Sequence, residues 1–233
     1  MFEAIILAGG HGNRLRSLVS GIPKPMASIA GKPFLEIVLN HLLGKGIRRA
    51  ILSVGYLSEI IESHFGNNFH SMKIDYAREK VPLGTGGALH FAMQQCRDSV
   101  ALVLNGDTFL DFNINSALSD WREHRVPMII GVQTQDTTRY GRLLVEGQRI
   151  TGFLEKGKGG PGIINAGSYI FPSDIFFGHD LPEAFSLEQD FLTHEVAKKT
   201  FRLVSTNGPF IDIGVPEDYL LAQKYLLHYA QQS

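Results

Sequence analysis

Short runs of apolar residues alternate along this chain with stretches whose apolar positions recur every three or four residues. Residues 4–7, 50–55, 100–105 and 128–134 are runs of the first kind, and each predicts a strand buried on both faces. Residues 34–45 are of the second kind. There Leu35, Val38, Leu39, Leu42 and Leu43 fall on one helical face, and Pro33 suits the first turn. Residues 58–65 repeat the period with Ile61 and Phe65, and residues 86–96 and 116–124 predict two further helices. Strand and helix in alternation predict an α/β domain on a mixed, mostly parallel sheet.

The rhythm changes after residue 140. Short strands, with turns at Glu146-Gly147 and at residues 157–162, predict a small antiparallel patch that ends near residue 171. A helix over residues 216–230 follows the last strand and is expected to pack the C-terminus back on the body. At 233 residues, with no internal repeat, low-complexity tract or linker, the chain is one large domain or two small ones; residues 1–233 are expected to be a single domain.

Chemistry gathers first behind the strand at residues 4–7, which runs into Ala8-Gly9-Gly10-His11-Gly12-Asn13-Arg14-Leu15. Three glycines there let backbone N–H groups converge on an anion with no Cβ in the way. Arg14 and Lys24 add two cations, so the loop suits the triphosphate of a nucleotide. A P-loop would need Gly-Lys-Ser/Thr after the glycines, and a dinucleotide fingerprint would need glycine where Leu15 stands. Glycines alone would fit a plain strand-to-helix turn, but Arg14, Lys24 and the two Lys-Pro pairs at 24–25 and 32–33 weigh against it.

Asn105-Gly106-Asp107 lies at the carboxyl end of another buried run, the edge of an open α/β sheet where ligands bind. The tripeptide by itself leaves a simple turn and a ligand site equally open. Asp212, after Phe210-Ile211, reads by itself as an acid flanking the helix that begins near Pro216.

Composition narrows the class. With 44% apolar and 19% charged residues, the chain has the balance of a globular protein. A net charge of −1, with both signs interspersed, predicts neither a nucleic-acid groove nor a membrane-binding face. Cys96 is the single cysteine and has no internal disulfide partner. No apolar run approaches the length of a membrane span, and no basic segment precedes the first apolar stretch; the expected setting is cytoplasmic.

These motifs resemble, in order and nearly end to end, those of the sugar-1-phosphate nucleotidyltransferases. Residues 7–15 match Leu-Ala-Gly-Gly-x-Gly-x-Arg-Leu, followed by Pro23-Lys24-Pro25 and Gly31-Lys32-Pro33. Later blocks are Pro82-Leu83-Gly84-Thr85-Gly86-Gly87-Ala88, Asn105-Gly106-Asp107, Phe153-Leu154-Glu155-Lys156 and Asn165-Ala166-Gly167. The last is Asp212-Ile213-Gly214-Val215-Pro216-Glu217-Asp218-Tyr219, where Val215 replaces a threonine common in the family.

The resemblance implies a Rossmann-like sheet flanked by helices, with the antiparallel patch binding sugar, and no C-terminal β-helix domain. It implies that Leu7, Ala8, Gly9, Gly10, Gly12 and Asn13 meet the nucleotide from the first loop, with Arg14 and Lys24 on its phosphates. Pro82, Gly84, Thr85 and Gly87 would let the base lie against backbone, with Asn105 and Gly106 beside them. Asp107 and Asp212 would hold Mg²⁺, which takes one or two carboxylates along with phosphate oxygens and water. Gly141, Glu155, Lys156, Asn165 and Gly167 would receive the sugar phosphate.

The implied reaction is in-line attack of a sugar 1-phosphate on the α-phosphorus of a nucleoside triphosphate, with Arg14, Lys24 and Asp107 as catalytic residues. Within the family the chain resembles the compact guanylyltransferases of D-glycero-α-D-manno-heptose 1-phosphate, so GTP is the expected nucleotide. Mannose-1-phosphate guanylyltransferases and uridylyltransferases acting on N-acetylmuramic acid or glucose 1-phosphate stay open as alternatives. So does a homo-oligomer. Non-catalytic regulatory relatives usually break the glycine loop, the lysine or the aspartates, whereas this chain keeps Gly9, Gly10, Arg14, Lys24, Asp107 and Asp212.

Overall fold

The computed structural model describes residues 2–10, 15, 19, 21–154 and 159–231. Strand β1 (Glu3–Leu7) is followed by a short hairpin, β2 (Ser28–Ile29) and β3 (Lys32–Pro33), then α1 (Phe34–Gly44), β4 (Arg49–Val54) and α2 (Ser58–Phe65). Next come β5 (Asn68–Phe69), β6 (Met72–Arg78), α3 (Gly84–Met93), β7 (Val100–Asn105), β8 (Thr108–Leu110), α4 (Ile114–His124) and β9 (Met128–Thr134). The remainder holds β10 (Arg142–Glu146), β11 (Arg149–Leu154), β12 (Gly162–Pro172), a π-helical turn (Leu187–Leu192) and α5 (Thr193–Lys198). It closes with β13 (Phe201–Thr206), β14 (Phe210–Asp212), α6 (Pro216–Tyr225) and α7 (Leu227–Ala230).

Ten strands form one sheet among the described residues, in the order β10-β11-β13-β9-β12-β7-β1-β4-β6-β5. Strands β1, β4, β6, β7, β9, β10 and β13 point one way, and β5, β11 and β12 point the other. The expected mixed sheet is what the chain forms, but it is parallel only across β7-β1-β4-β6 and between β9 and β13; the six other pairings are antiparallel, because β5, β11 and β12 run against their neighbours. The antiparallel patch is no separate layer: β10 and β11 pair across Glu146↔Arg149 and continue the main sheet.

From β1 the chain steps outward through β4 and β6, then returns to place β7 on the other side of β1. That reversal opens a crevice at the carboxyl ends of β1 and β7, the place where open α/β sheets bind ligands.

Alternation along the central strands divides the core into two layers. Ala4 and Ile6 of β1 join Val100, Leu102 and Leu104 of β7 on one face, under α1, α2, α4 and α6. Ile5, Ala101 and Val103 face the other way, toward α3, the π-helical turn and α5. Every one of these side chains is at least 95% buried, which is why the strands read as unbroken apolar runs.

Boundaries differ from expectation where capping and pairing decide them. Helix α4 begins two residues early because Asn113 caps it, its side-chain oxygen accepting the Ser116 N–H at 3.0 Å. The helix expected over 216–230 breaks at Leu226, which is buried in the core, and the turn lets the Tyr229 hydroxyl donate to Asp111 Oδ2 at 2.8 Å. Among the described residues no helix is long and apolar enough to cross a membrane.

Candidate active site

Beyond Leu7 the chain leaves the sheet, its last parallel contact being Ala8 N–H to Ser53 O at 2.8 Å. Beside it, Gly106 follows β7 and donates its N–H to Leu7 O at 2.9 Å. A Cβ on Gly106 would lie 2.6 Å from that carbonyl oxygen and 3.0 Å from the Ala8 Cα. The two strand ends can meet only with glycine there, and that meeting sets Asp107 against the first loop.

A cavity of about 480 Å³ occupies the crevice. Leu7, Ala8, Gly9 and Gly10 line it from the first loop, and Asn105, Gly106 and Asp107 from the end of β7. Pro82, Gly84 and Thr85 form another wall, with Lys24 beside them. Asn105 Oδ1 is buried there without a hydrogen-bond partner among the described residues, an acceptor that a bound hydroxyl or amine would satisfy.

Lys24 opens a single 3₁₀ turn (Lys24–Met26) between Pro23 and the buried Pro25 and Met26. This short turn, with a proline on either side of Lys24, constrains the backbone that carries the lysine. Its Nζ lies 2.6 Å from Asp107 Oδ2 and 3.9 Å from Asp212 Oδ1. Asp212 arrives by way of β14, which pairs antiparallel with β8 so that Asp212 faces Thr108. The Asp107 carbonyl also accepts the Ile213 N–H at 2.9 Å. Asp212 Oδ1 in turn accepts the Gly214 N–H at 2.6 Å.

The lysine side chain is 9% exposed and the two carboxylates 35% and 30%, so the cation is sunk while the acids open to solvent. One ammonium between two carboxylates leaves a formal charge of −1 on the Lys24, Asp107 and Asp212 group. Two hard oxygen donors with open faces fit a cation that completes its shell with phosphate oxygens and water.

Among the described residues expected to hold sugar, Gly141, Asn165 and Gly167 come together around the first half of β12. The Gly141 carbonyl accepts the Asn165 N–H at 3.1 Å, and Asn165 Oδ1 accepts the Gly167 N–H at 3.0 Å. Pairing of β12 with β9 slips register between Asn165 and Ser168, and Gly167 takes φ +65° in that bulge. Gly167 lies over Asn105: a Cβ there would come within 2.4 Å of its Nδ2. Gly141, Asn165 and Gly167 thus adjoin the nucleotide-sized cavity without lining it.

Gly87 departs from expectation. It is buried under the Glu183 carbonyl, which a Cβ would approach to 2.3 Å, and it is absent from the cavity wall. Gly86 N–H donates to the Phe185 carbonyl at 2.9 Å. These glycines therefore serve close packing of the 183–185 segment on α3; Gly84 and Thr85 alone of that loop's glycine-threonine run reach the cavity. Gly12, Asn13, Arg14, Glu155 and Lys156 lie outside the described residues.

Pro25, Glu79, Ala88 and Gly214 complete the lining and were not anticipated. Pro25 and Gly214 stand inside quoted motifs, and Ala88 is one helical turn beyond Gly84. Glu79 follows β6, a strand whose Lys73 and Asp75 hide it from an apolar-run search. Its Oε2 accepts the Leu83 N–H at 3.0 Å, tying that strand end to the start of α3.

A sunken cation and paired acids where parallel strands end suit one class of α/β protein, the enzymes that move phosphate groups of nucleotides. The chain belongs to the nucleotidyl transferase family, whose pattern matches residues 3–228. It is 42% identical over 228 residues to a D-glycero-alpha-D-manno-heptose 1-phosphate guanylyltransferase of Aneurinibacillus thermoaerophilus, covering 97% of this chain and 99% of the relative. Its identity to the protein of that description from Campylobacter jejuni is also 42%, over 218 residues, 93% of this chain and 96% of that one. Among solved structures, HddC from Yersinia pseudotuberculosis complexed with GMP-PN superposes with a TM-score of 0.84 at 39% identity, across 96% of this chain and 99% of that one.

Proposed function

We propose that this chain transfers GMP from GTP to D-glycero-α-D-manno-heptose 1-phosphate, giving the GDP-sugar and pyrophosphate. The observation that carries the reaction type is Lys24, in the wall of the strand-end cavity, held between Asp107 and Asp212. The choice of GTP and heptose rests on near-full-length likeness to the two guanylyltransferases and to HddC.

An oxygen of the sugar 1-phosphate attacks the α-phosphorus, a new P–O bond forms, and the α–β bridging bond breaks with its electron pair leaving on pyrophosphate. The nucleophile is already an anion, so no side chain needs to take a proton. Catalysis then rests on position and charge. In this reading the N–H groups of Gly9 and Gly10 meet the phosphates, with Arg14 on the β- and γ-phosphates. Lys24 turns its ammonium to the α-phosphate, where negative charge gathers. Asn105 Oδ1 takes a donor from the substrate, and Thr85 and Gly84 flank the base.

Asp107 and Asp212 would hold Mg²⁺, which when bound supplies charge neutralisation for the reacting phosphates. Glu155, Lys156 and Asn165 would receive the heptose and its phosphate. The unbroken ten-stranded sheet supports a single catalytic domain, and the use of GTP fits a cytoplasmic setting.

Phosphorus NMR of a reaction containing GTP, the heptose 1-phosphate and Mg²⁺ tests the proposal. GDP-heptose and pyrophosphate should appear in equal amounts, and chelation of the metal should stop both. Release of inorganic phosphate instead would mean the bond broken is another one.

A further inference from the structure

A chain of hydrogen bonds runs from the cavity wall to the amide of Asn165, through residues that no sequence motif singled out. The Thr85 hydroxyl donates to Glu188 Oε2 at 3.2 Å and accepts the Leu187 N–H at 2.9 Å. Glu188 Oε1 accepts from the Tyr169 hydroxyl at 2.9 Å. That hydroxyl accepts from Asn165 Nδ2 at 3.0 Å, and Asn165 Oδ1 takes the Gly167 N–H.

The direction of every link is forced. A carboxylate only accepts, so Thr85 and Tyr169 must both aim their protons at Glu188. Tyr169 then has only lone pairs left for Asn165, which fixes the nitrogen end of that amide toward it. Burial, followed by the nearby Glu188 charge, pushes the Tyr169 phenol well above its ordinary range, so it remains a donor. Glutamine at 188 could not accept from both hydroxyls in this way without turning an N–H toward one of them.

Packing alone does not call for this arrangement. The Tyr169 ring is fully buried and stacks on Phe171 with centroids 5.0 Å apart, a contact that a phenylalanine ring would make equally well. Placing a half-buried carboxylate beside that ring carries a desolvation cost that a plain core residue avoids. Glu188 also sits in the π-helical turn (Leu187–Leu192), an irregularity that recurs at functional sites.

We propose that Glu188 is a positioning residue: through the Tyr169 hydroxyl it sets the Asn165 amide toward the sugar 1-phosphate, and through Thr85 it anchors that amide to the nucleotide wall. The inference rests on the reading that Asn165 contacts the sugar phosphate.

Steady-state kinetics of Glu188→Gln, Tyr169→Phe, Asn165→Ala and the Tyr169→Phe/Asn165→Ala double variant test it, varying each substrate with the other saturating. Losing a hydrogen bond that orders a substrate contact should raise the KM for sugar 1-phosphate about tenfold in Glu188→Gln and Tyr169→Phe, with the KM for GTP within about twofold of wild type. In the Asn165→Ala background, Tyr169→Phe should add less than about twofold, because the hydroxyl would have nothing left to orient. Additive losses, equal rises in both KM values, or an unchanged sugar 1-phosphate KM would overturn the proposal.

The Asn165 side-chain amide signals in ¹⁵N NMR give a readout independent of turnover. They should shift in Glu188→Gln, two hydrogen bonds away through Tyr169, and unmoved signals would equally overturn the link. Wild-type turnover with a different sugar 1-phosphate would retire the heptose assignment alone, and the same cycle would then be read with that substrate. Loss of coupling in an active chain would retire the role of Glu188 alone.

Discussion

Lys24 Nζ lies 2.6 Å from Asp107 Oδ2, joining the proline-braced turn near the N-terminus to the carboxyl end of β7. The pair is more than a surface contact, because the lysine is nine-tenths buried and Asp212 approaches the same ammonium. In the proposed reaction this buried ammonium would need only to turn from the carboxylates to reach the α-phosphate.

Replacing Lys24 by Met keeps the alkyl stem and removes the charge. By analogy with loss of a single oxyanion donor, kcat should fall about 10²–10³-fold, equivalent to about 3–4 kcal/mol of transition-state stabilisation. Pyrophosphate release measured beside a thermal melt checks it. Near-normal kcat in a folded variant would remove Lys24 from the mechanism.

Asp107→Ala should abolish turnover while the fold survives, since the side chain is partly exposed and its backbone bond to Ile213 is kept. Asp107→Asn, which keeps shape but removes charge, should raise the Mg²⁺ concentration for half-maximal rate at least about tenfold. Unchanged metal dependence in Asp107→Asn would contradict the carboxylate's assignment.

Gly106→Ala asks whether the meeting of β1 and β7 needs glycine. The added methyl would press on the Leu7 backbone, which cannot swing aside as a side chain would. Overpacking of this kind should cost about 1–3 kcal/mol in urea unfolding and reduce activity by shifting Asp107. A variant as stable as wild type would show that the strand ends part easily.

Much of the fold was legible because its central strands are buried on both faces. Ile5, Ile6, Leu102 and Val103 have no solvent side, so β1 and β7 stand out as apolar runs. Strand β6 escaped notice because Lys73 and Asp75 interrupt it, and Asp75 is answered by Arg49 from β4 at 2.6 Å, a partner only the sheet order brings near. The same division holds in the site. Lys24, Asp107 and the first loop sit inside local motifs, whereas Glu79 and Glu188 reach their positions only through long-range packing. Gly87 shows the reverse case: a glycine in a motif whose duty, room for the Glu183 backbone, is visible only after folding.

His41 supplies a pH signature. It packs between Phe109 and Tyr229, and burial lowers its pKa from 6.5 to about 4 despite Asp111 nearby. Because the folded pKa lies below the unfolded one, the unfolded chain binds more protons between these values. Stability should therefore be unaffected by this group above pH 6.5 and fall as pH drops toward 4, by about 2 kcal/mol at pH 5. Urea unfolding at pH 7 and pH 5 should show wild type losing that much more than His41→Gln. Equal losses in the two proteins would contradict a buried, neutral imidazole.

Transfer of GMP to a manno-heptose 1-phosphate is the reaction from which the site assignments follow. Pyrophosphate release with Mg²⁺, crossing GTP, UTP, ATP, CTP and dTTP with heptose, mannose, glucose and N-acetylmuramic acid 1-phosphates, tests it most directly. The value of kcat/KM should be highest for GTP with D-glycero-α-D-manno-heptose 1-phosphate, by at least about tenfold over every other pair. A preference for UTP, or for another sugar 1-phosphate, would contradict the substrate assignment, and no release from folded protein in any combination would contradict catalysis itself.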